Sequence, residues 1–152
     1  MTKEEIKTQL LESCRSHLSS RRQAVEAIMA NVAISLQEET KSSAGDKHET
    51  GRAMLQLERE NAGKQLAQIE KLEAILRRVS PAISSGPVHL GSVVKTSQNN
   101  YFIAIPAGAI TIGDELFYAI GATSPIGERL LSKVVDDALS FRESMFTINA
   151  VF

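Results

Sequence analysis

The stretch Ser42–Arg52, SSAGDKHETGR, decides the fold, because it separates two long runs of helix-forming residues. Within it, Gly45 is followed by Asp46 and, three positions later, by Glu49. An Asp with a Glu three residues after it is typical of a helix N-terminus, where the Asp side chain caps the first backbone N–H groups. We therefore expect a turn over SSAGD and a second helix that begins at Asp46.

Apolar residues on both sides of this turn recur at steps of three, four or seven, which places them on one face of a helix. The first helix carries Ile6, Leu10, Cys14, Leu18, Val25, Met29 (or Ile28), Val32 and Leu36, and the second carries Leu55, Ala62, Leu66, Ile69, Leu72, Leu76 and Val79. Thr2 followed by Glu5 is a capping box and predicts the start of the first helix. Pro81 predicts the end of the second.

Each apolar stripe is narrow and flanked by charges, so neither helix can form a core by itself. Two such helices joined by a short turn can bury their stripes against each other as an antiparallel coiled-coil hairpin. The sequence thus predicts this hairpin over residues 1–80. At a rise of ~1.5 Å per residue it would be about 50 Å long, with an acidic tip at its far end.

The composition changes near Val79–Val88, VSPAISSGPV, since all four prolines and six of the nine glycines follow Ser80. We expect strands in GSVVKT, YFIAIPAG and ELFYAIGA and a closing hairpin in DDALSF and SMFTINAVF. SPIGERLLSKVV predicts a short helix that Ser124 caps, with Ile126, Leu130, Leu131 and Val134 facing inward. The fold class is therefore α+β: a helical hairpin followed by a small β-rich domain over residues 84–152.

Composition excludes several classes of protein. The net charge of −1 argues against binding nucleic acid by phosphate neutralisation alone. A single cysteine, Cys14, can form neither an internal disulfide nor a zinc ribbon, and we expect it to be a buried structural thiol. The N-terminus lacks the pattern of a signal peptide, and no apolar run approaches the ~18 residues of a membrane span. We expect a cytoplasmic protein without a membrane partner.

Asp46 and Glu49 are the strongest candidates for chemistry, and two interpretations of them are open. They can simply form the start of the second helix. Alternatively, two carboxylates on one helix face at an exposed tip form a weak site for Mg²⁺, which usually keeps several waters and shares its ligands with a partner. The sequence contains no glycine-rich phosphate loop, no Ser-His-Asp arrangement and no Cys/His metal cluster.

Three segments in this order resemble the Gre-type bacterial transcript-cleavage elongation factors. GDKHET (Gly45–Thr50) resembles their tip motif Gly-Asp-x-x-Glu-Asn. SPIGERLLSKVVDDAL (Ser124–Leu139) resembles their segment Ser-Pro-[Leu/Ile]-Gly-x-x-Leu-[Leu/Ile]-x-Lys-x-x-Gly-Asp, and FTINAV (Phe146–Val151) stands where they have their closing strand. The resemblance covers nearly the whole chain, and it implies that the C-terminal domain is FKBP-like.

The resemblance also implies a function. The C-terminal domain would dock at the rim of the RNA polymerase secondary channel, and the coiled coil would enter the channel. Asp46 and Glu49, by position, would be the catalytic and metal-binding acids that help to hold a second Mg²⁺ and position water for cleavage of backtracked RNA. The ion would be shared with the polymerase and not bound stably by this chain alone. The protein would be a monomeric accessory factor, not itself an enzyme, that meets RNA and DNA through the elongation complex.

The sequence departs from the family pattern in the strand region YFIAIPAGAITIG and at three further places. Thr50 replaces the Asn of the tip motif, Ala53 replaces a tyrosine, and Asp136-Asp137 replaces Gly-Asp. Two alternatives therefore stay open: a regulator that binds the channel without stimulating cleavage, and a coiled-coil interaction module. A prolyl isomerase would need an aromatic-lined pocket, whereas we expect several of the aromatic side chains to form the core.

Overall fold

Two long helices come first in the chain, and six strands with one short helix follow. The computed structural model describes every residue except Ser42–Gly45, and it describes only the backbone of Thr40, Lys41 and Asp46–His48. The helices are α1 (Lys3–Lys41), α2 (Asp46–Arg77) and α3 (Pro125–Leu130). The strands are β1 (Val93–Thr96), β2 (Asn100–Ala104), β3 (Gly108–Ile112), β4 (Glu115–Gly121), β5 (Ala138–Phe141) and β6 (Ser144–Val151).

The chain divides into two compact units. One is Leu18–Glu73, which contains most of α1 and α2, and the other is Met1–His17 together with Ala74–Phe152. The predicted capping box starts α1, because the Thr2 backbone N–H donates to Glu5 Oε2 at 2.8 Å and the Glu5 N–H donates to Thr2 Oγ1 at 3.1 Å. Two backbone N–H groups at the helix start are thereby satisfied.

In the unit Leu18–Glu73, the two helices pack as a coiled-coil-like hairpin. Its buried side chains repeat every seven residues, at Leu18, Val25 and Val32 of α1 and at Ala62 and Ile69 of α2. A seven-residue repeat keeps one narrow face of each helix directed at its partner. The half-buried side chains of Met29 and Leu66 widen this seam.

Arg22 of α1 joins the two helices outside the seam. Its guanidinium donates to both carboxylate oxygens of Glu73 of α2, with Nη2 to Oε1 at 2.6 Å and Nε to Oε2 at 3.1 Å. Toward the other end of the unit, a Cβ atom on Gly51 of α2 would lie 3.4 Å from Glu39 Oε1 of α1. Arg22 precedes Glu39 in α1, whereas its partner Glu73 follows Gly51 in α2, so the hairpin is antiparallel as predicted.

The β strands form one mixed sheet in the order β3-β4-β2-β1-β6-β5. The pair β2–β4 is parallel and the other four pairs are antiparallel. One face of the sheet packs around Val94, Ile103 and Ile148, with Leu130 of α3 in the same cluster. The opposite face is also buried; it carries Val93, Phe102, Phe117 and Ala119.

Helix α3 depends on a close backbone approach at Gly127. Ser124 caps the helix, since its Oγ accepts from the Gly127 N–H at 3.1 Å and donates to Gly121 O at 2.7 Å. Pro125 fills the first turn, where a missing N–H costs nothing. A Cβ atom on Gly127 would come within 2.2 Å of Gly121 O, so only glycine fits there.

The first turns of α1 carry one buried charge. Lys7 is buried, and its Nζ donates to the backbone carbonyl of Ala82 at 2.9 Å. Burial lowers the pKa of the Lys7 ammonium below its ordinary value, because an apolar environment disfavours the charged form.

The sequence predictions fail at two places in the second half. The helix that begins at Pro125 ends at Leu130 instead of continuing through SKVV, because Ser132 has a φ of 69° and breaks the helix. Val134 is consequently exposed, and the prediction that it faces inward is wrong. The strand β3 was not predicted; most of its residues are exposed, and the apolar alternation at Ile110, Thr111 and Ile112 spans only three positions.

No helix in the described part of the chain combines the length and the apolar character that crossing a membrane requires.

Substituting glycines tests the close approach at α3. We expect Gly127→Ala to lower the free energy of unfolding by about 2–3 kcal/mol, the usual cost of forcing an extra methyl into a packed site. The matched control is Gly63→Ala in α2, where nothing lies within 4 Å of a Cβ atom. The control should raise the free energy of unfolding by about 0.5–1 kcal/mol, because alanine favours a helix interior more than glycine does. Urea titrations would contradict the account if the two variants shifted stability in the same direction.

The buried Lys7 makes stability depend on pH in a definite direction. Because its folded-state pKa lies below its unfolded value, unfolding takes up a proton, and the free energy of unfolding rises with pH between those two values. We expect Lys7→Met to be more stable than the wild type at neutral pH, with a difference that shrinks as the pH approaches 10.5. Denaturant midpoints measured from pH 7 upward check this, and parallel pH profiles for the two proteins would contradict it.

Candidate functional site

The candidate site lies where α1 and α2 connect. Helix α2 begins at Asp46, as the sequence predicts. The side chain of Asp46 is not among those that the structure describes, so the capping role of Asp46 stays a prediction. Glu49 lies in the first turn of α2, and it is exposed. A negative charge in this turn is stabilised by the positive end of the helix dipole.

The residues at this end fit an ion that is shared with another molecule. Mg²⁺ needs six oxygen ligands in an octahedral arrangement. Glu49 offers an exposed carboxylate, and Asp46 stands three positions earlier in the same helix. Two carboxylates leave most of the six positions to water or to a partner. Among the residues whose side chains are described, no group of three or more His, Cys, Asp or Glu comes together as a metal site.

Thr50 and Ala53, where the sequence departs from the tip motif, are both exposed on α2 beside Glu49. Ala53 lies one helical turn after Glu49 and therefore shares its face. Arg52, three positions after Glu49, is also exposed on this side of the helix. The described part of this turn therefore combines an acid, two short side chains and a cation.

Cys14 is a structural thiol, as predicted. It is fully buried in the unit that contains Met1–His17, and it forms no disulfide. Burial raises the pKa of Cys14 to about 11, because the thiolate would lose its hydration. The group is therefore a neutral thiol at physiological pH and does not act as a nucleophile.

The aromatic side chains of the sheet are largely core residues. Phe102, Phe117, Phe146 and Phe152 are buried, and Tyr101 and Tyr118 are partly buried with their ring centroids 6.3 Å apart. The prediction that several of the aromatic side chains form the core is therefore confirmed for these four phenylalanines.

The turn after α3 contains two aspartates with different roles. Asp136 has a φ of 77°, a left-handed conformation that glycine adopts most easily. Its neighbour Asp137 accepts a hydrogen bond from the Val134 N–H at 2.8 Å and so closes the turn. The position at which the resembling segment has Gly is therefore one at which this backbone favours glycine.

No protein-family model matches this sequence, and no curated protein is significantly similar to it.

Substitutions distinguish the structural roles of Asp136 and Asp137. We expect Asp136→Gly to raise the free energy of unfolding by about 0.5–1 kcal/mol, because relief of the left-handed strain exceeds the added freedom of the unfolded chain. Asp137→Gly should instead lower it by about 1 kcal/mol, because a turn hydrogen bond is lost. Thermal unfolding of both variants measures the difference, and a destabilised Asp136→Gly protein would refute the strain at this position.

Proposed function

We propose that this protein binds bacterial RNA polymerase through the secondary channel and stimulates cleavage of backtracked RNA. In this proposal the hairpin of α1 and α2 enters the channel, and the C-terminal domain, with an FKBP-like fold, docks at its rim. The order of the chain supports it, because a helical hairpin precedes a β-rich unit as in the factors that the sequence resembles.

The position of Glu49 is the observation that carries the proposal. It is an exposed carboxylate in the first turn of α2, next to the connection between the two helices. A carboxylate at that place can reach an ion or a water molecule held by another macromolecule. Most other described acids of α2 lie further along the helix, where the flank of a hairpin inside a channel would face the channel wall.

Within the proposal, the work is divided between this chain and the polymerase. Asp46 and Glu49 would hold one side of a Mg²⁺ ion, whose charge stabilises the transition state of phosphodiester hydrolysis when it is bound. The Glu49 carboxylate also accepts a hydrogen bond and so orients a water molecule toward the scissile phosphate. Other residues of the hairpin position these acids, because the seam and the Arg22–Glu73 hydrogen bonds hold α2 against α1.

The backbone geometry of the segment Ser124–Leu139 supports the part of the proposal that concerns the fold. Ser124, Pro125 and Gly127 each occupy a place where the backbone favours that residue. Asp136 occupies a left-handed position that would suit the family's glycine. These residues serve folding and not chemistry, so they support the fold that the resemblance implies and leave the activity to the acids of α2.

A second function is favoured by one observation at the tip. Thr50 and Ala53 are exposed beside Glu49, and they stand where the resembling factors have Asn and Tyr. Loss of these two larger polar side chains from the surface around Glu49 fits a regulator that enters the channel without stimulating cleavage. A wild-type protein that binds polymerase but leaves backtracked RNA intact would select this second function.

Single substitutions at the two acids test the first function. We expect Asp46→Ala and Glu49→Ala to reduce RNA cleavage in stalled complexes by about 10- to 100-fold, the usual range when a metal site loses a supporting group. Binding to polymerase should stay unchanged. The matched control is Glu60→Ala, which removes an exposed acid further along α2 and should cleave like the wild type.

Stability measurements separate chemistry from folding in this test. Glu49→Ala should leave the free energy of unfolding nearly unchanged, and Asp46→Ala should lower it by about 1 kcal/mol through loss of the helix cap. Wild-type levels of cleavage by both variants would contradict the proposed role of the acids. Equal losses in the Glu60→Ala control would assign the effect to net charge instead.

A further inference from the structure

The sheet ends in two edge strands whose outer edges differ, β3 on one side and β5 on the other. In the β5–β6 hairpin, Phe141 and Ser144 flank a two-residue turn and form a hydrogen-bonded pair, so Ser140 directs its carbonyl away from β6. The guanidinium of Arg129 donates to that carbonyl at 3.0 Å. Arg129 therefore covers the outer edge of β5.

The outer edge of β3 has no such cover among the described residues. In the β3–β4 hairpin, Ile112 and Glu115 flank the two-residue turn and form a hydrogen-bonded pair. Because the two kinds of pair alternate along an antiparallel ladder, Ile110 also bonds to β4. Ala109 and Thr111 then direct their backbone N–H and C=O groups away from β4. Both residues are exposed, and no described residue bonds to these outward groups.

Strand β3 lacks the features that usually prevent an edge strand from pairing with another strand. Its sequence, GAITI, contains no charged residue and no proline. It pairs with β4 in one continuous register from Gly108 to Ile112. Edge strands of soluble proteins commonly carry charges, prolines or bulges, because an open ladder pairs readily with a further strand. The outer edge of β3 is therefore suited to the addition of a strand.

A second copy of this chain supplies a strand that matches this edge. In a two-fold antiparallel arrangement centred on Ile110, Ala109 of each copy lies opposite Thr111 of the other. These pairs are of the hydrogen-bonded type, so about four interchain bonds satisfy the outward backbone groups. The half-buried Ile110 meets Ile110 of the second copy in the central non-hydrogen-bonded pair, where side chains approach most closely.

The charges near the edge favour this arrangement. With Ile110 on the two-fold axis, Asp114 of one copy falls opposite Pro106 of the other, so the two aspartates do not face each other. Glu115 is paired within its own chain, because its carboxylate lies 2.7 Å from Lys95 Nζ. Like charges placed opposite each other destabilise a strand pair, and this register avoids them. A strand of another protein would need its own apolar residue opposite Ile110, whereas a second copy supplies one by symmetry.

We propose that two copies of this chain associate through β3, so that their six-stranded sheets become continuous across a two-fold axis. Ala109 and Thr111 provide the backbone hydrogen bonds, and Ile110 provides the apolar contact. A single short strand pair buries little surface, so the dimer is weak and depends on protein concentration. This inference departs from the monomer that the resemblance implies. It does not involve Asp46 or Glu49, so it stands independently of transcript cleavage.

Sedimentation velocity of the full chain over a range of concentrations tests the proposal. We expect the dimer fraction of the wild type to rise with concentration. Ile110→Lys and Ile110→Glu should each weaken self-association by about tenfold or more, because like charges would face each other across the axis. An equimolar mixture of the two variants should restore the dimer. The matched control is Ile83→Lys, which changes a side chain that is 43% exposed outside the strands and should associate like the wild type.

Cross-linking locates the two-fold axis. Opposite Cα atoms of a non-hydrogen-bonded pair lie about 4.5 Å apart, which is within the range that a disulfide spans. The native Cys14 is buried. We therefore expect copper phenanthroline to convert an Ile110→Cys protein into a disulfide-linked dimer faster than it converts an Ile83→Cys control.

Several results would overturn the proposal. They are a wild type that stays monomeric at every concentration, a dimer that Ile110→Lys leaves intact, a mixture of the two charged variants that does not associate, and equal cross-linking of the two cysteine variants. A monomeric chain that binds a labelled GAITI peptide saturably would also overturn it, and would assign the edge of β3 to a strand of another protein.

Discussion

Leu18, Val25 and Val32 of α1 are buried together with Ala62 and Ile69 of α2, and this seven-residue seam is the constraint on which the hairpin depends. Within the unit Leu18–Glu73 the described buried side chains of each helix lie on this one seam, so there each helix depends on the other. The seam sets which sides of the helices meet, and the bidentate Arg22–Glu73 contact marks their relative position along the axis. The placement of Glu49 at the connecting end follows from that alignment.

The narrow seam also explains why the connecting end of the hairpin is available for interactions. At the described positions beyond Val32 and Ala62, side chains are half-buried or exposed, so substitutions there cost little folding energy. A hairpin that buried a wide core up to its connection could not also present Glu49 to a partner. Stability is thus concentrated away from the residues to which we assign function, as is common for binding surfaces.

The sequence predicted the elements whose signals are periodic and local. The sequence correctly predicted the helical stripes, the capping box at Thr2 and the cap at Ser124, because spacing and residue type determine these features. The end of α3 was not, since the left-handed Ser132 carries no special residue type. The edge strand β3 was missed although it forms a hairpin with β4 across the two-residue turn Gly113-Asp114, a local signal that the sequence does contain.

Side-chain partnerships across elements were the least predictable part. Arg22 and Glu73 lie among many charges, and no local rule pairs them across two helices. A lysine in a charged helix would be expected to be exposed to solvent. Lys7 is buried because its neighbours on α1, Ile6 and Leu10, bring this side of the helix into the core.

The central claim is that the start of α2 reaches the RNA inside a polymerase complex, and a tethered cleavage probe measures this most directly. Cys14 is the only cysteine and is buried, so a hydroxyl-radical-generating chelate will attach selectively to a Thr50→Cys protein. Added to backtracked elongation complexes, this conjugate should cut the nascent RNA close to the polymerase active centre. Cuts confined to the outer surface of the polymerase, or no cuts above those of a conjugate at Ser144→Cys, would contradict the account.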